Sequence, residues 1–142
     1  MDHELTTFYK GDYIFLEGQQ SNCAYIIDSG LVGVYREDSH GNRSLVRKLG
    51  KNEMFGEMGL IDKYPRSATI IALQDTKCVV IDRSRFNYLT KFNPHFVTCL
   101  IKSLTEKLRT TITNLKKAGS QKKNNPSNRT SLSDFFLKKG EE

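Results

Sequence analysis

Short apolar or alternating runs, separated by glycine and small polar residues, fill residues 13–82 of the sequence. A strand with one face in a core alternates apolar and polar side chains, and glycine supplies the positive φ that tight turns need. Six runs fit this description: residues 13–16, 24–28, 31–37, 43–49, 68–73 and 77–82. Six short strands at this spacing predict a mainly β fold, an antiparallel β-barrel or jelly roll.

After Asp82 the apolar spacing changes from a period of two toward 3.6, which indicates helices flanking the strands. Asp82 is suited to cap a short helix over residues 83–90. Asn93 and Pro94 then predict the start of a long C-terminal helix, since Asn caps helices and Pro is favoured at the first helical position. We expect this helix to span residues 94–118.

The long helix carries an apolar stripe at alternating spacings of three and four residues. Its members are Ile101, Leu104, Leu108, Thr111, Leu115 and Ala118. Such a stripe is typical of a two-stranded coiled coil, and it predicts a homodimer through this helix. The alternative is a helix that packs against its own domain.

The net charge of +6 is distributed unevenly. Residues 1–100 hold 12 Lys and Arg against 12 Asp and Glu, whereas residues 101–142 hold 10 against 4. The basic character therefore belongs to the C-terminal part, and we expect no specific nucleic-acid binding. We expect one domain over residues 1–118 and a basic tail over 119–142, whose Ser, Asn and Lys content predicts disorder.

The composition excludes several classes of function. No apolar run approaches the roughly 18–20 residues of a membrane helix, and the N-terminus does not resemble a signal peptide, so we expect a cytoplasmic protein without a membrane span. The sequence lacks a nucleophile elbow, a His-Glu-x-x-His motif and a Walker loop, so we do not expect an enzyme.

Cysteine and histidine do not form a metal-binding pattern. The cysteines are Cys23, Cys78 and Cys99, and the histidines are His3, His40 and His95. No Cys-x-x-Cys spacing occurs, and the histidines are scattered. We expect reduced, packed thiols and no zinc or iron–sulfur site.

The strongest sign of chemistry lies in residues 55–69, FGEMGLIDKYPRSAT. Gly56 and Gly59 allow the backbone to turn tightly and to approach a ligand, and residues 57–61 can form one helical turn whose N–H groups point at an anion. Arg66, which follows Pro65, offers the bidentate donor pair that suits phosphate.

Glu57 needs a separate explanation, because an anion would repel a carboxylate beside it. A sugar hydroxyl is a donor that this carboxylate can bind. Glu57 and Arg66 together therefore suit a ligand with one phosphate charge and a ribose 2′-OH. The alternative is a structural ion pair between the two residues.

This segment resembles the phosphate-binding cassette of the cyclic nucleotide-binding domain family, F-G-E-x-[AGS]-L-x(n)-P-R-[AST]-A, and every position of that pattern is filled. The resemblance covers about residues 5–118. It implies that Glu57 binds the ribose 2′-OH and that Arg66 binds an exocyclic oxygen of the cyclic phosphate. It further implies a phosphate cradle made of Gly56, Met58, Gly59, Leu60, Ser67 and Ala68.

Within this family the chain is most similar to the sensor domain of the bacterial catabolite activator (cyclic AMP receptor) proteins. That resemblance implies that the base packs against Val34, Val46 and Leu49. It also implies that the Thr111 hydroxyl contacts the adenine amino group, although a threonine tolerated in a helix stripe is an alternative. Ile112 stands where those activators place a serine that reaches the partner subunit's nucleotide.

The implied function is a stand-alone, non-enzymatic sensor that relays cyclic nucleotide binding through the long helix and the tail to a partner. Cyclic AMP is the preferred ligand, and cyclic GMP is the second choice. Ser67 leaves this choice open, because the family uses Thr there for cyclic GMP and Ala for cyclic AMP. Only 24 residues follow Ala118 in this sequence. We therefore expect no helix-turn-helix domain, and no transcription activation by this chain alone.

The tail offers a competing hypothesis. Its segment RTSLSDFF, residues 129–136, resembles the peptide that docks on sliding clamps, with Leu132, Phe135 and Phe136 at the anchor positions and Arg129 in place of the leading Gln. In this hypothesis the chain is an adaptor whose tail carries the function and whose β domain is a scaffold.

Overall fold

A computed structural model describes residues 5–119, which form eight strands and three helices. The strands are β1 (Leu5–Phe8), β2 (Tyr13–Phe15), β3 (Cys23–Ser29), β4 (Val32–Glu37), β5 (Arg43–Leu49), β6 (Met54–Phe55), β7 (Thr69–Ala72) and β8 (Thr76–Asp82). The helices are α1 (Met58–Asp62), α2 (Arg83–Phe92) and α3 (Pro94–Ala118). The chain divides into two compact units, of which the first ends at Lys107 and the second begins at Leu108.

Two four-stranded antiparallel sheets form a jelly roll. The first sheet has the order β1-β8-β3-β6, and the second has the order β2-β7-β4-β5. The predicted jelly roll is confirmed, although the two sheets do not close into one barrel. All six predicted strands are present. β1 and β6 were not predicted, because three of the four residues of β1 are exposed and β6 is too short for an alternation to show.

Two hydrophobic cores lie on the two faces of the first sheet. The sheet core consists of Phe15, Ile27, Val32, Leu49, Phe55, Ile70 and Cys78. The helix core consists of Ala24, Met54, Leu60, Ile81, Phe86, Phe96 and Leu100. Successive residues of a strand point to opposite faces, so Met54 enters the helix core and Phe55 enters the sheet core. The first sheet is therefore buried on both sides, and α1 shares a core with α2 and the start of α3.

Side chains cap α2 and α3 at the predicted positions. The Asp82 carboxylate accepts a hydrogen bond from the amide of Arg85 at 2.8 Å, and the Asn93 side chain accepts one from the amide of Phe96 at 3.0 Å. These bonds satisfy amides that lack a partner within their own helix. α2 ends at Phe92, two residues beyond the predicted end.

Some of the sequence predictions fall on residues at the two ends of the chain. The clamp-like peptide and the tail beyond Gly119 lie outside the described residues, as does His3. None of the described helices is long and apolar enough to cross a membrane. Within residues 5–119, no group of three or more His, Cys, Asp or Glu side chains is arranged to hold a metal ion.

The three cysteines are free thiols in three different environments. Cys78 is buried, Cys23 is half-buried and Cys99 is exposed. The expectation of packed thiols is correct for Cys78 and wrong for Cys99. One residue step turns a helical side chain by about 100°, so Cys99 leaves the face on which its neighbour Leu100 is buried.

These environments predict the order in which an alkylating reagent modifies the thiols. Burial raises the pKa of the Cys78 thiol to about 11, so that little reactive thiolate is present at neutral pH. We expect iodoacetamide to label Cys99 first and Cys78 only after denaturant unfolds the sheets, as measured by peptide mass spectrometry over time. Rapid labelling of Cys78 in the native protein would contradict its place in the sheet core.

Candidate functional site

The segment between β6 and α1 makes a sharp turn that only glycine accommodates well. Gly56 has φ +79°, in the left-handed region. A Cβ atom at this position would lie 2.7 Å from Nη1 of Arg66. Both the backbone conformation and the close approach of the arginine therefore require glycine here. The turn brings the next residue, Glu57, to the N-cap position of α1.

Glu57 is a buried carboxylate, with only 1% of its surface exposed. Its Oε1 accepts a hydrogen bond from Nζ of Lys107 at 2.5 Å, and the same ammonium group donates to the carbonyl of Met54 at 2.7 Å. Oε2 is buried and has no hydrogen-bond partner among the described residues. Since burying a charge is costly unless it is paired, Lys107 stabilises the carboxylate while one of its oxygens stays available to a donor.

Arg66 is also buried, and neutral acceptors hold its guanidinium. Nη1 donates to the carbonyl of Gly56 at 2.8 Å, and Nη2 donates to the carbonyl of Cys23 at 2.9 Å. Nε is buried without a hydrogen-bond partner among the described residues. The Arg66 amide donates to the Gln19 carbonyl at 2.8 Å, and its carbonyl accepts from the Gly18 amide at 2.9 Å. The backbone of Arg66 is thus fixed to the turn between β2 and β3, and its side chain bridges the start of β3 and the turn after β6.

Glu57 and Arg66 do not form an ion pair with each other. Within residues 5–119, Glu57 pairs with Lys107, and Arg66 has no carboxylate partner. The alternative of a structural ion pair between them is therefore wrong for this structure. The arginine keeps an uncompensated positive charge and an unused N–H group, which together suit an anion.

Two aromatic rings lie beside the guanidinium. The Arg66 Cζ atom lies 4.0 Å from the centroid of the Phe15 ring and 6.0 Å from that of Tyr25. The Cys23 thiol donates a hydrogen bond to the Tyr25 hydroxyl oxygen at 3.3 Å. Burial, and then this hydrogen bond, raise the pKa of Tyr25 above its ordinary value. Tyr25 is therefore a neutral phenol at physiological pH, and it does not offset the charge of Arg66.

The remaining predicted cradle residues differ in exposure. Gly59 and Leu60 are buried, and a Cβ atom on Gly59 would overlap the side chain of Ser21. Ala68 is buried, whereas Met58 and Ser67 are exposed. The structure thus joins Gly56 and Arg66 by direct contact and places Ser67 directly after Arg66 with an accessible side chain.

The residues predicted to pack against the base lie on β4 and β5. Val34 is half-buried beside the sheet core, and Leu49 lies inside that core. Val46 is exposed, and the register of β4 and β5 shifts by one residue there, which is a β-bulge. Thr111 lies on α3 in the second unit, and its side chain is exposed. The roles of these four residues toward a base stay predictions.

Sequence reasoning missed Lys107 and Phe15. Lys107 carried a detectable signal. Leu104 follows Leu100 by four residues and Lys107 follows Leu104 by three, so the lysine places a charge on the buried face of α3. Phe15 carried no signal beyond that of a core residue, because its contact with Arg66 depends on how β2 and the cassette come together.

Known proteins resemble this chain in sequence and in structure. The sequence profile of the family described as "Cyclic nucleotide-binding domain" matches residues 5–92. The cGMP-dependent protein kinase 2 of Homo sapiens is 42% identical over 86 residues, which are 59% of this chain and 11% of the kinase. The CRP-like cAMP-activated global transcriptional regulator of Mycobacterium tuberculosis is 31% identical over 108 residues, which are 76% of this chain and 48% of the regulator.

A solved structure supports the same fold. The crystal structure of the Thermus thermophilus catabolite activator protein matches with a TM-score of 0.73 and 28% identity, over 82% of this chain and 55% of that one. The chain thus spans about a tenth of the kinase and about half of the regulator.

The Glu57–Lys107 pair predicts a specific loss of stability. We expect Lys107→Met to lower the free energy of unfolding by about 3 kcal/mol, because it leaves a buried carboxylate without its cation. Denaturant unfolding measures this change. Lys102→Met, which removes an exposed lysine of α3, is the matched control and should change stability by less than about 0.5 kcal/mol.

A double variant separates the charge from the packing of the lysine stem. Glu57→Gln with Lys107→Met removes both charges, so it should be more stable than Lys107→Met alone. If the double variant loses as much stability as the Glu57→Gln and Lys107→Met variants lose in sum, Lys107 contributes by packing and the ion pair has no role in stability.

Proposed function

Because the chain belongs to the cyclic nucleotide-binding domain family, we propose that it is a non-enzymatic sensor that binds 3′,5′-cyclic AMP, with cyclic GMP as the second ligand. We propose a sensor domain over residues 1–118, with Arg66 on the cyclic phosphate and Glu57 on the ribose 2′-OH. The remaining contacts that we propose are those predicted from the sequence for the phosphate cradle, the base and Thr111.

One observation carries this proposal. Glu57 and Arg66 are buried in one cassette and do not pair with each other, and each has an unused hydrogen-bonding atom. Nε of Arg66 is a donor, and Oε2 of Glu57 is an acceptor. A cyclic phosphate brings one negative charge for the first, and a ribose hydroxyl brings one donor for the second. A more highly charged phosphate would meet repulsion from Glu57.

The choice between cyclic AMP and cyclic GMP rests on residues other than Glu57 and Arg66. Ser67 has the hydroxyl of a threonine without its methyl group, and its side chain is exposed beside the arginine. The relatives include one protein named for each nucleotide, a cGMP-dependent kinase and a cAMP-activated regulator. We propose cyclic AMP first, because the resemblance to the catabolite activators extends over a longer part of the chain and includes Thr111.

The signal leaves the cassette through Lys107. A ribose hydroxyl that donates to Glu57 shares the carboxylate with Lys107, so ligand binding changes the environment of a residue on α3. A ligand shifts a conformational equilibrium only by its differential affinity for the two states, and this shared carboxylate is where such a difference arises. We propose that the output is the geometry of α3 and the presentation of the tail to a partner.

Arg66→Ala tests the site. We expect it to weaken cyclic AMP binding by about 2–5 kcal/mol, as for truncation of one partner of a buried charge pair, measured by isothermal titration calorimetry. Arg36→Ala, an exposed arginine on β4, is the matched control and should bind as the wild type does. Equal affinity of wild type and Arg66→Ala would place the anion elsewhere.

The role of Glu57 is tested on the ligand rather than on the protein, since its substitution would also strand Lys107. We expect 2′-deoxy cyclic AMP, which lacks the donor, to bind about tenfold or more weakly than cyclic AMP, the cost of leaving a buried acceptor unpaired. Equal affinities for the two ligands would remove the ribose hydroxyl from the proposed contacts.

We also propose the homodimer through α3. Leu104 packs against the helix core, whereas Ile101, Leu108 and Leu115 of the stripe are exposed and remain for a partner helix. Leu108→Glu with Leu115→Glu should convert a dimer to a monomer in sedimentation velocity, and Thr113→Glu is the control on the same helix. A wild type that sediments as a monomer at high concentration would refute the dimer.

A further inference from the structure

We propose that Phe15 positions Arg66: its ring face holds the guanidinium in the orientation in which it receives an anion. The inference rests on the proposed function only in the identity of that anion, the cyclic phosphate. Phe15 lies on β2, outside the cassette, and nothing in the cassette pattern points to it.

The contact is close, and the ring has little freedom. The Arg66 Cζ atom stands 4.0 Å from the ring centroid, and both side chains are buried. The Phe15 ring lies 6.0 Å, centroid to centroid, from each of the rings of Tyr25 and Phe55, and those two rings stack on each other at 4.9 Å. The rings of Tyr25 and Phe55 therefore fix the Phe15 ring in its place beside the guanidinium.

A ring face holds a cation in a way that suits an anion receptor. A carboxylate would also fix Arg66, but it would neutralise the charge and would compete with an incoming phosphate. The ring attracts the cation through its quadrupole and occupies only one face of the planar group. The N–H groups at the edge of the guanidinium remain for acceptors, two of which are the carbonyls of Gly56 and Cys23.

Packing alone does not supply this effect. A leucine at position 15 would fill most of the same volume but would present no π-face to a buried charge. With two carbonyls and the more distant Tyr25 ring to hold it, the guanidinium would sample other orientations, and ligand binding would have to restrict them again. Phe55 is the natural comparison, because its ring belongs to the same cluster and is equally buried, while the contacts of Arg66 with ring faces are to Phe15 and Tyr25.

The first experiment uses the ligand-free protein. Protons above a ring face are shifted upfield, so the Arg66 Nε–H resonance of the nitrogen-15-labelled protein should lie upfield of those of exposed arginines. Phe15→Leu should move this resonance downfield and speed the exchange of its proton with water. Phe15→Tyr, which keeps a ring face, should retain the upfield shift, and Phe55→Leu should leave it largely unchanged.

The second experiment measures cyclic AMP affinity by calorimetry for the same variants, after denaturant unfolding has shown each to be folded. We expect Phe15→Leu to bind about tenfold more weakly, the scale of a desolvated cation–π contact. Phe15→Tyr should remain within about twofold of wild type, and so should Phe55→Leu.

The outcomes separate this inference from the proposed function. Equal weakening by Phe15→Leu and Phe55→Leu, or no recovery in Phe15→Tyr, would mean a general loss of packing and would overturn the positioning role. An Arg66 resonance unmoved in Phe15→Leu would overturn it as well, whatever the wild type binds. If the wild type fails to bind cyclic AMP while Phe15→Leu moves the resonance, the proposed ligand is wrong and the support of Arg66 by Phe15 stands.

Discussion

The ion pair between Glu57 and Lys107 is the interaction on which the rest of the site depends. It satisfies one oxygen of a buried carboxylate from α3, so that the carboxylate does not turn to the other buried charge of its own cassette. Had Glu57 paired with Arg66, the two charges would cancel and neither would be available to a ligand. Lys107 thereby leaves the charge of Arg66 without a counterion in its cassette and available to an anion.

The β fold provides what Arg66 needs once it has no counterion. The two carbonyls come from Cys23, at the start of β3, and Gly56, just after β6, while the ring surface comes from the sheet core. Backbone carbonyls and ring faces carry partial rather than full negative charge, so they hold a cation without neutralising it. Gly56 is required because any side chain there would displace the guanidinium from these partners.

Sequence reasoning found what is local and missed what is long-range. The strands followed from an alternation of period two, and the cassette from a continuous pattern of glycines, Glu57 and Arg66. The partners that set the chemistry of these two residues come from elsewhere in the chain, Phe15 and Cys23 on one side and Lys107 on the other. Such contacts are decided by how sheets and helices pack, and only Lys107 left a local sign, as a charge on the buried face of α3. The strands β1 and β6 were missed for a different reason. β1 is mostly exposed and β6 has only two residues, so neither shows an alternation in the sequence.

The alternation of β6 provides the physical link that we propose between the candidate site and α3. Phe55 enters the sheet core, whereas Met54 enters the helix core, and the Met54 carbonyl accepts a hydrogen bond from Lys107. The next two residues are Gly56, which contacts Arg66, and Glu57, which pairs with Lys107. Residues 54–57 therefore contact both cations, since Met54 and Glu57 bind Lys107 and Gly56 between them binds Arg66. Because the sheet is packed on both faces, we propose that a shift of this segment toward a ligand would also alter the contacts of Lys107.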